Sequence, residues 1–128
     1  KNKTIILTVV RHGETGSNKT GVLQGQTNAP LSHTGQLQAD RAGKYLENCQ
    51  FDCAFSSDLE RAFQTANTII KINKHKESTN NLKTNMLIRE KSFGKLENMT
   101  LKLNLQCQKS FEFFWTSFMY VPLPRNTK

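Results

Sequence analysis

The chain has 128 residues, a length that allows one domain or part of one, at roughly 100–200 residues per domain. Its 18 Lys and Arg residues outnumber its 10 Asp and Glu residues, which gives a formal net charge of +8, and 36% of its residues are hydrophobic. This composition is polar for a folded domain but too apolar for a fully disordered chain. The longest early apolar run, Ile5–Val10, is too short for a secretory signal or a membrane span. We therefore expect a cytoplasmic protein that has no membrane partner.

The positive charge is concentrated in the second half of the chain. Residues 1–64 carry seven basic and six acidic side chains, whereas residues 65–128 carry 11 basic and four acidic ones. The lysines of the second half do not alternate with aromatic residues at stacking spacing, so we expect no nucleic-acid partner. A basic balance also suits a small anionic substrate, which it attracts by electrostatic steering.

Three cysteines, Cys49, Cys53 and Cys107, cannot pair completely, and a reducing compartment fits this odd number. The C-x3-C spacing of the first two could belong to a metal site. Because no second pair of cysteines follows, buried thiols are the better interpretation, and we expect no metal or cofactor.

The elements alternate along the chain. Ile5–Val10 has the composition of a buried strand, and residues 13–33 contain four glycines and one proline, which favour a loop over this region. Helical spacing predicts a helix over Thr34–Asn48, with Ser32 or Thr34 at its cap, and Asp52–Ser56 is predicted as a second strand.

A second helix is predicted to begin at Ser57, because Ser57 and Glu60 have the spacing of a capping box. It should end near Asn73, and Met86–Ile88 is a candidate third strand. Strands that alternate with helices favour a parallel sheet, whose strands end at one edge, where ligands bind. That edge would receive Arg11-His12-Gly13, Arg61 and Arg89-Glu90 from three different chain segments.

This set of residues suits phosphoryl transfer. The neutral imidazole of His12 is a competent nucleophile, and the arginine fork of Arg61 matches phosphate oxygens. Gly13 would let backbone amides approach an anion, and Glu90 could protonate a leaving oxygen.

Each residue also has a structural alternative. His12 could be a hydrogen-bonded structural histidine, Arg61 could form an ion pair with Asp58 or Glu60, and Glu90 could be an exposed loop acid. Each structural alternative is favoured when its residue is considered alone. Because all three residues converge at one edge of the sheet, the structural alternatives are less favoured for the set than the functional interpretation.

Several motifs carry a resemblance to a known family. Leu7–Thr15 resembles the RHG signature of the histidine phosphatase superfamily, which is also called the phosphoglycerate mutase-like family. The resemblance spans roughly residues 4–97 and continues through further stretches: Asn18, Gln24–Gln26, Pro30–Ser32, Thr34-Gly35, Gln38-Ala39, Ala54–Leu59, Arg61, Gln64-Thr65 and Ile88–Gly94. Within the family, the stretches Gln24–Gln26 and Ala54–Leu59 resemble the fructose-2,6-bisphosphatases most closely. The resemblance to these enzymes implies a role in regulating glycolysis and apoptosis.

The resemblance implies a fold and a domain boundary. The fold would be α/β, of the phosphoglycerate mutase-like three-layer kind with a mostly parallel sheet, of which only the N-terminal part is present. Residues 1–98 would form this part of a histidine phosphatase domain, and residues 99–128 would be an aromatic and basic tail from outside the family. We expect a monomer whose partner is a small phosphorylated substrate.

The resemblance also implies a role for each site residue. His12 would become phosphohistidine, Arg11 and Arg61 would grip the phosphoryl group, and Glu90 would protonate the leaving alkoxide and later activate water. Asn18 would hydrogen-bond a phosphate oxygen, and Gln24-Gly25 would border the substrate. The substrates would be small sugar or glycerate bisphosphates, and no metal would be needed because arginines supply the positive charge.

One element of the family pattern is missing. Family members carry a second catalytic histidine in a later S-H-G-like segment, but the histidines of this sequence are His12, His33 and His75. His33 lies in a turn and His75 lies between two lysines, so neither matches the second histidine. An inactive remnant that at most binds phosphate is therefore the alternative function, and we expect stability and turnover to be lower than in a full-length relative.

Overall fold

The computed structural model describes residues 5–75 and 82–100, together with the backbone of 119–121. Within these residues there are strands, helices and two 3₁₀ turns, Met86–Ile88 and Gly94–Leu96. In chain order the strands and helices are β1 (Thr8–Val10), α1 (Gly16–Thr20), α2 (His33–Tyr45), β2 (Ala54–Ser56), α3 (Glu60–Ile72), β3 (Leu82–Thr84) and β4 (Met119–Val121). No helix of the described part of the chain is long and apolar enough to cross a membrane.

The four strands form one sheet in the order β1-β4-β2-β3. Strand β4 pairs antiparallel with both β1 and β2, and β2 pairs parallel with β3. Strands β1, β2 and β3 therefore run in the same direction, and only β4 runs against them. The predicted α/β class with a mostly parallel sheet is confirmed.

Helices α2 and α3 pack closely because small residues line their contact. Gly35, Ala39 and Gly43 are the buried residues of α2, and they are spaced four apart on one side of the helix. A Cβ on Gly43 would lie 2.6 Å from Ile72 Cδ1 and 3.2 Å from Ile72 Cβ, so the Ile72 side chain would have to shift to admit it. Helix α3 also packs on β2 and β3, and this fixes the first turn of α3 beside the ends of the strands.

A small apolar core holds the helix pair together. Leu46, Phe51, Ala66 and Ile69 are buried in contact with one another, and Val10 packs against them from β1. Polar Asn73 is fully buried beside this core, where its Nδ2 donates to the carbonyl oxygens of residues 46 and 49 at 2.8 Å each. These bonds satisfy backbone groups that burial would otherwise leave unpaired.

The apolar residues of the first strand segment are much less buried. Val9 is 45% exposed and Leu7 is 49% exposed, and Ile5 is 76% exposed. The long strand predicted over Ile5–Val10 is three residues long in the structure, because only Thr8–Val10 pair with β4.

Two predictions for the first half of the chain differ from the structure. The predicted loop over 13–33 contains helix α1, which begins after the N-cap Thr15 and ends at Gly21 in the left-handed conformation (φ 68°). Helix α3 has Leu59 rather than Ser57 at its N-cap, and the Ser57–Glu60 capping box is not formed. Ser57 Oγ instead accepts from the Leu59 amide at 3.2 Å. The predicted cap of α2 at Ser32 and the end of α3 at Asn73 are confirmed.

The third predicted strand is also wrong in its position. Met86–Ile88 forms a 3₁₀ turn in which Asn85 Oδ1 accepts from the Leu87 amide, and Leu87 is 86% exposed. The strand lies earlier, at Leu82–Thr84. The aromatic stretch Phe111–Trp115 lies outside the described residues, whereas β4 belongs to the region predicted as a tail.

Candidate active site

Three segments that are distant in sequence meet at the carboxyl end of β1. His12 follows β1, Arg61 lies in the first turn of α3, and Glu90 follows the Met86–Ile88 turn. Arg61 Nε lies 3.3 Å from His12 Nε2, and Arg61 Nη2 lies 3.2 Å from Glu90 Oε2. The structure thus brings together the three side chains that the sequence placed at one edge.

The imidazole of His12 is held in one tautomer. Its Nδ1 lies 2.7 Å from the Gly13 carbonyl oxygen, and a carbonyl can only accept, so the proton is on Nδ1 and Nε2 keeps its lone pair. Burial, together with the charges of Arg61 and Arg11, lowers the pKa of His12 to about 4, although the bond to Gly13 acts in the opposite direction. His12 is therefore neutral at physiological pH.

Arg61 is fully buried and donates to four acceptors. Besides its contacts with His12 and Glu90, its Nη1 donates to the Thr27 carbonyl oxygen at 2.8 Å and its Nη2 to the Gly25 carbonyl oxygen at 2.6 Å. The alternative of an ion pair with Asp58 or Glu60 is wrong, since its carboxylate partner is Glu90.

The carboxyl group of Glu90 is only 19% exposed. Burial raises its pKa, and this effect exceeds the lowering by the neighbouring charges of Arg61 and Arg11. A carboxyl group whose pKa is raised keeps a proton more readily, which is the property that a general acid needs.

The two other arginines of the predicted edge behave differently. Arg11 is exposed, and its charge lowers the pKa of both His12 and Glu90, so it lies close to the centre of the site. Arg89 turns away and forms an ion pair with Asp58, in which Nε lies 2.6 Å from Oδ1.

Asn18 and Gln24 belong to a hydrogen-bond network around Thr15, which sequence analysis did not single out. The Thr15 hydroxyl is fully buried and lies 2.9 Å from Gln24 Oε1 and 3.0 Å from Asn18 Oδ1. The Thr15 amide also donates to Asn18 Oδ1 at 3.0 Å, so α1 begins with a capping box. Within the described residues, Asn18 Nδ2 has no hydrogen-bond partner, which leaves it available as a donor.

Gly13 has a packing role rather than the predicted one of opening the backbone to an anion. Its amide donates to Thr65 Oγ1 at 3.0 Å, and that hydroxyl donates to the Arg61 carbonyl oxygen at 2.8 Å. A Cβ on Gly13 would overlap the carbonyl oxygen of Gly35 at the start of α2. Thr65 therefore connects the histidine loop to α3, and Gly13 lets that loop approach α2.

A second unanticipated residue, Glu97, lies beside Gly25. Its carboxylate accepts four hydrogen bonds, from the backbone amides of Gln26 and Phe93 and from the hydroxyl groups of Thr27 and Ser92. Burial acts to raise the pKa of Glu97, but these hydrogen bonds outweigh it and lower the pKa. No local sequence pattern singles out a carboxylate whose partners are two backbone amides and two loop hydroxyl groups.

The described residues contain no group of three or more His, Cys, Asp and Glu side chains that could hold a metal ion. Cys49 and Cys53 are free and half-buried, so they are less buried than predicted. Cys107 lies outside the described residues.

The site combines a neutral histidine, a buried arginine and a half-buried carboxyl group at the carboxyl end of a strand. The sequence model of the histidine phosphatase superfamily (branch 1) matches residues 7–127, and the chain belongs to this family. That match passes the boundary predicted at residue 98, which stays a prediction.

The similar curated proteins include fructose-2,6-bisphosphatases. The chain is 46% identical over 95 residues to fructose-2,6-bisphosphatase TIGAR B of Danio rerio, covering 73% of this chain and 37% of that protein. It is 45% identical over 96 residues to fructose-2,6-bisphosphatase TIGAR of Mus musculus, covering 74% of this chain and 35% of that protein. The chain thus spans little more than a third of the length of these relatives.

Solved structures support the fold assignment. The mycobacterial glucosyl-3-phosphoglycerate phosphatase Rv2419c, in a complex with VO3, matches with a TM-score of 0.71 and 26% identity, over 83% of this chain and 48% of that one. Phosphoglycerate mutase from Bacillus anthracis matches with a TM-score of 0.69 and 29% identity, over 80% of this chain and 45% of that one. The phosphoglycerate mutase-like fold is therefore confirmed.

Proposed function

We propose that this protein is a phosphohydrolase that removes a phosphoryl group from small sugar or glycerate bisphosphates through a phosphohistidine intermediate. The observation that carries the proposal is the state of His12: a neutral ring with its proton on Nδ1 and its Nε2 lone pair beside a buried arginine. A nucleophile at phosphorus needs that free lone pair, and no other described histidine lies in such surroundings.

The reaction has two steps. In the first, His12 Nε2 forms a bond to phosphorus while the bond to the leaving oxygen breaks, and Glu90 donates its proton to that oxygen. The Nε–H of Arg61, which donates to His12 Nε2 in the free site, donates to a phosphoryl oxygen in this step. Arg11 binds the same phosphoryl group from the exposed side of the site. In the second step Glu90, now a carboxylate, takes a proton from water, which attacks phosphorus and releases inorganic phosphate and neutral His12.

Asn18 and the 24–25 stretch bind the substrate in this scheme. Asn18 Nδ2 supplies a donor to a phosphoryl oxygen, while Thr15 fixes the orientation of its amide. Arginines take the place of a metal ion in neutralising the phosphoryl oxygens.

Fructose-2,6-bisphosphate is the substrate that we propose to test first. Support comes from the relatives described as fructose-2,6-bisphosphatases, which are 46% and 45% identical to the chain over 95 and 96 residues. An enzyme with this substrate would act in the cytoplasm and regulate glycolysis.

A second candidate function is phosphate binding without turnover. Its supporting observation is that the two remaining histidines, His33 and His75, are exposed and lie outside the site. The site then has one histidine where the family has two, and a phosphohistidine could form without being hydrolysed.

The test is phosphoenzyme trapping. We would incubate the chain with fructose-2,6-bisphosphate labelled at the 2-phosphate, or with labelled 2,3-bisphosphoglycerate, and measure acid-labile label on His12. The His12→Ala variant should take no label, whereas His33→Ala, the matched control at an exposed histidine, should be labelled like the unaltered chain.

The fate of the label separates the two candidate functions. Label that forms and is then released as inorganic phosphate supports the phosphohydrolase, and label that persists supports binding without turnover. Equal labelling of the His12→Ala variant would overturn the assignment of the nucleophile, and a folded chain that takes no label would overturn the proposed hydrolase.

A further inference from the structure

Glu97 joins two loops that border the candidate site. Its Oε1 accepts from the Gln26 amide at 3.1 Å, the Phe93 amide at 2.9 Å and the Ser92 hydroxyl at 3.0 Å. Its Oε2 accepts from the Thr27 hydroxyl at 3.3 Å. One carboxylate therefore connects the 25–27 loop to the segment that follows Glu90.

The 25–27 loop in turn holds Arg61. The carbonyl oxygens of Gly25 and Thr27 accept from Arg61 Nη2 and Nη1, and these two bonds orient the guanidinium plane. The carboxylate packs directly on Gly25: a Cβ there would overlap Glu97 Oε1, and Gly25 has a φ of 53°, which favours glycine. The position of the two carbonyl groups thus depends on Glu97.

The orientation of Arg61 determines its contacts with the two proposed reacting groups. With its plane fixed, its Nε meets His12 Nε2 and its Nη2 meets Glu90 Oε2. Glu97 itself touches neither His12 nor Glu90 in the described contacts, so any effect on them acts through the loop and Arg61, or through its charge.

We infer that Glu97 is a positioning residue, which sets the orientation of Arg61 and thereby the geometry of the His12 nucleophile and the Glu90 acid. This inference goes beyond the proposed function and rests on it for its kinetic test. It adds the 92–97 segment to the machinery that prepares the site.

The test compares two substitutions at this position. Glu97→Ala removes all four acceptor bonds, and we expect the rate constant for labelling of His12 to fall about 10–100-fold, because small displacements of catalytic groups have effects of this size. Glu97→Gln keeps an acceptor for the two amides and can donate to the Thr27 hydroxyl, so its rate constant should stay within about fivefold of that of the unaltered chain. Glu47→Ala, which removes a half-buried carboxylate paired with Lys74 away from the site, is the matched control and should leave the rate constant unchanged.

A second readout does not depend on turnover. Nitrogen-15 NMR of the His12 ring reports its tautomer and pKa. In Glu97→Ala the pKa of His12 should rise toward that of a free histidine, because Arg61 is no longer held against Nε2, while the Gly13 carbonyl oxygen keeps the proton on Nδ1. If Glu97 acted through its charge alone, its removal would lower the pKa of His12, and the inference would be wrong.

The outcomes separate this inference from the proposed function. If the unaltered chain takes no label, the proposed function fails, and the ring spectra alone decide the role of Glu97. If Glu97→Ala does not fold, Thr27→Val, which removes only the hydroxyl donor to Oε2, takes its place and should slow labelling about threefold with the same spectral trend. A folded variant with an unchanged rate constant and an unchanged His12 spectrum would overturn the inference.

Discussion

His12 and Glu90 illustrate how one small site pushes two pKa values in the directions that catalysis needs. Burial disfavours the charged form of each group, so it lowers the pKa of the imidazole to about 4 and raises that of the carboxyl group. At physiological pH His12 is therefore neutral, and Glu90 keeps a proton more readily than an ordinary carboxyl group. The same desolvation favours the neutral form of both groups, which is the form that the proposed nucleophile and the proposed acid need.

The pH dependence of His12 labelling follows from these shifts. Labelling should fall below about pH 4, where His12 binds a proton, and should fall again as pH rises through the raised pKa of Glu90. In Glu90→Gln the limb at higher pH should vanish and the maximal rate constant should fall about 10²–10⁴-fold, the usual contribution of a general acid. Single-turnover labelling from pH 3.5 to 9 measures both effects.

Glu60→Gln is the control for that experiment, because Glu60 is a half-buried carboxylate of α3 that does not contact His12 or Arg61 in the described hydrogen bonds. The pH profile of labelling in Glu60→Gln should keep both the fall at low pH and the fall at high pH. A high-pH limb that survives in Glu90→Gln would mean that another group supplies the proton.

At the scale of elements, the contact between the histidine loop and α2 is tight enough to depend on glycine. A Cβ on Gly35 would overlap the Glu14 carbonyl oxygen. We expect Gly35→Ala to lower the free energy of unfolding by about 1–3 kcal/mol, the usual cost of overpacking. Gly16→Ala in α1, where a Cβ would meet nothing within 4 Å, should be neutral or raise that free energy by up to about 1 kcal/mol. Urea denaturation measures both, and equal effects would mean that helix propensity rather than the contact decides.

Local pattern predicts some of these elements and misses others for identifiable reasons. Apolar spacing locates α2 and α3, the Ser32 cap is found only for α2, and chain order alone brings His12 and Arg61 to one edge. The strand β4 could not be predicted to lie beside β1, because pairing across more than 100 residues leaves no local signal. Glu97 was missed because two of its partners are backbone amides, which every sequence supplies, and the other two are hydroxyl groups of loop residues.

The molecule as a whole relies on a small core that leaves one part of the sheet exposed. Phe51 is fully buried, whereas Val9 on β1 is 45% exposed. Phe51→Ala should lower the free energy of unfolding by about 3–5 kcal/mol, which approaches the entire stability of a small domain. Val9→Thr should change it by less than about 1 kcal/mol. Thermal unfolding followed by circular dichroism measures both, and a large loss in Val9→Thr would mean that the exposed side of β1 is covered in solution.

The central position of β4 has a consequence for how the chain reaches its folded state. In the described sheet, strand β1, which leads into His12, is joined to β2 through β4. Strands β1 and β2 are synthesised first, but they cannot become part of one sheet until Met119–Val121 has been synthesised. Closing so long a loop is slow compared with forming α2 and α3, which need only local contacts. The helix pair can therefore form during translation, whereas β1 joins the sheet late, and until then the free edges of β1 and β2 are open to pairing with other chains.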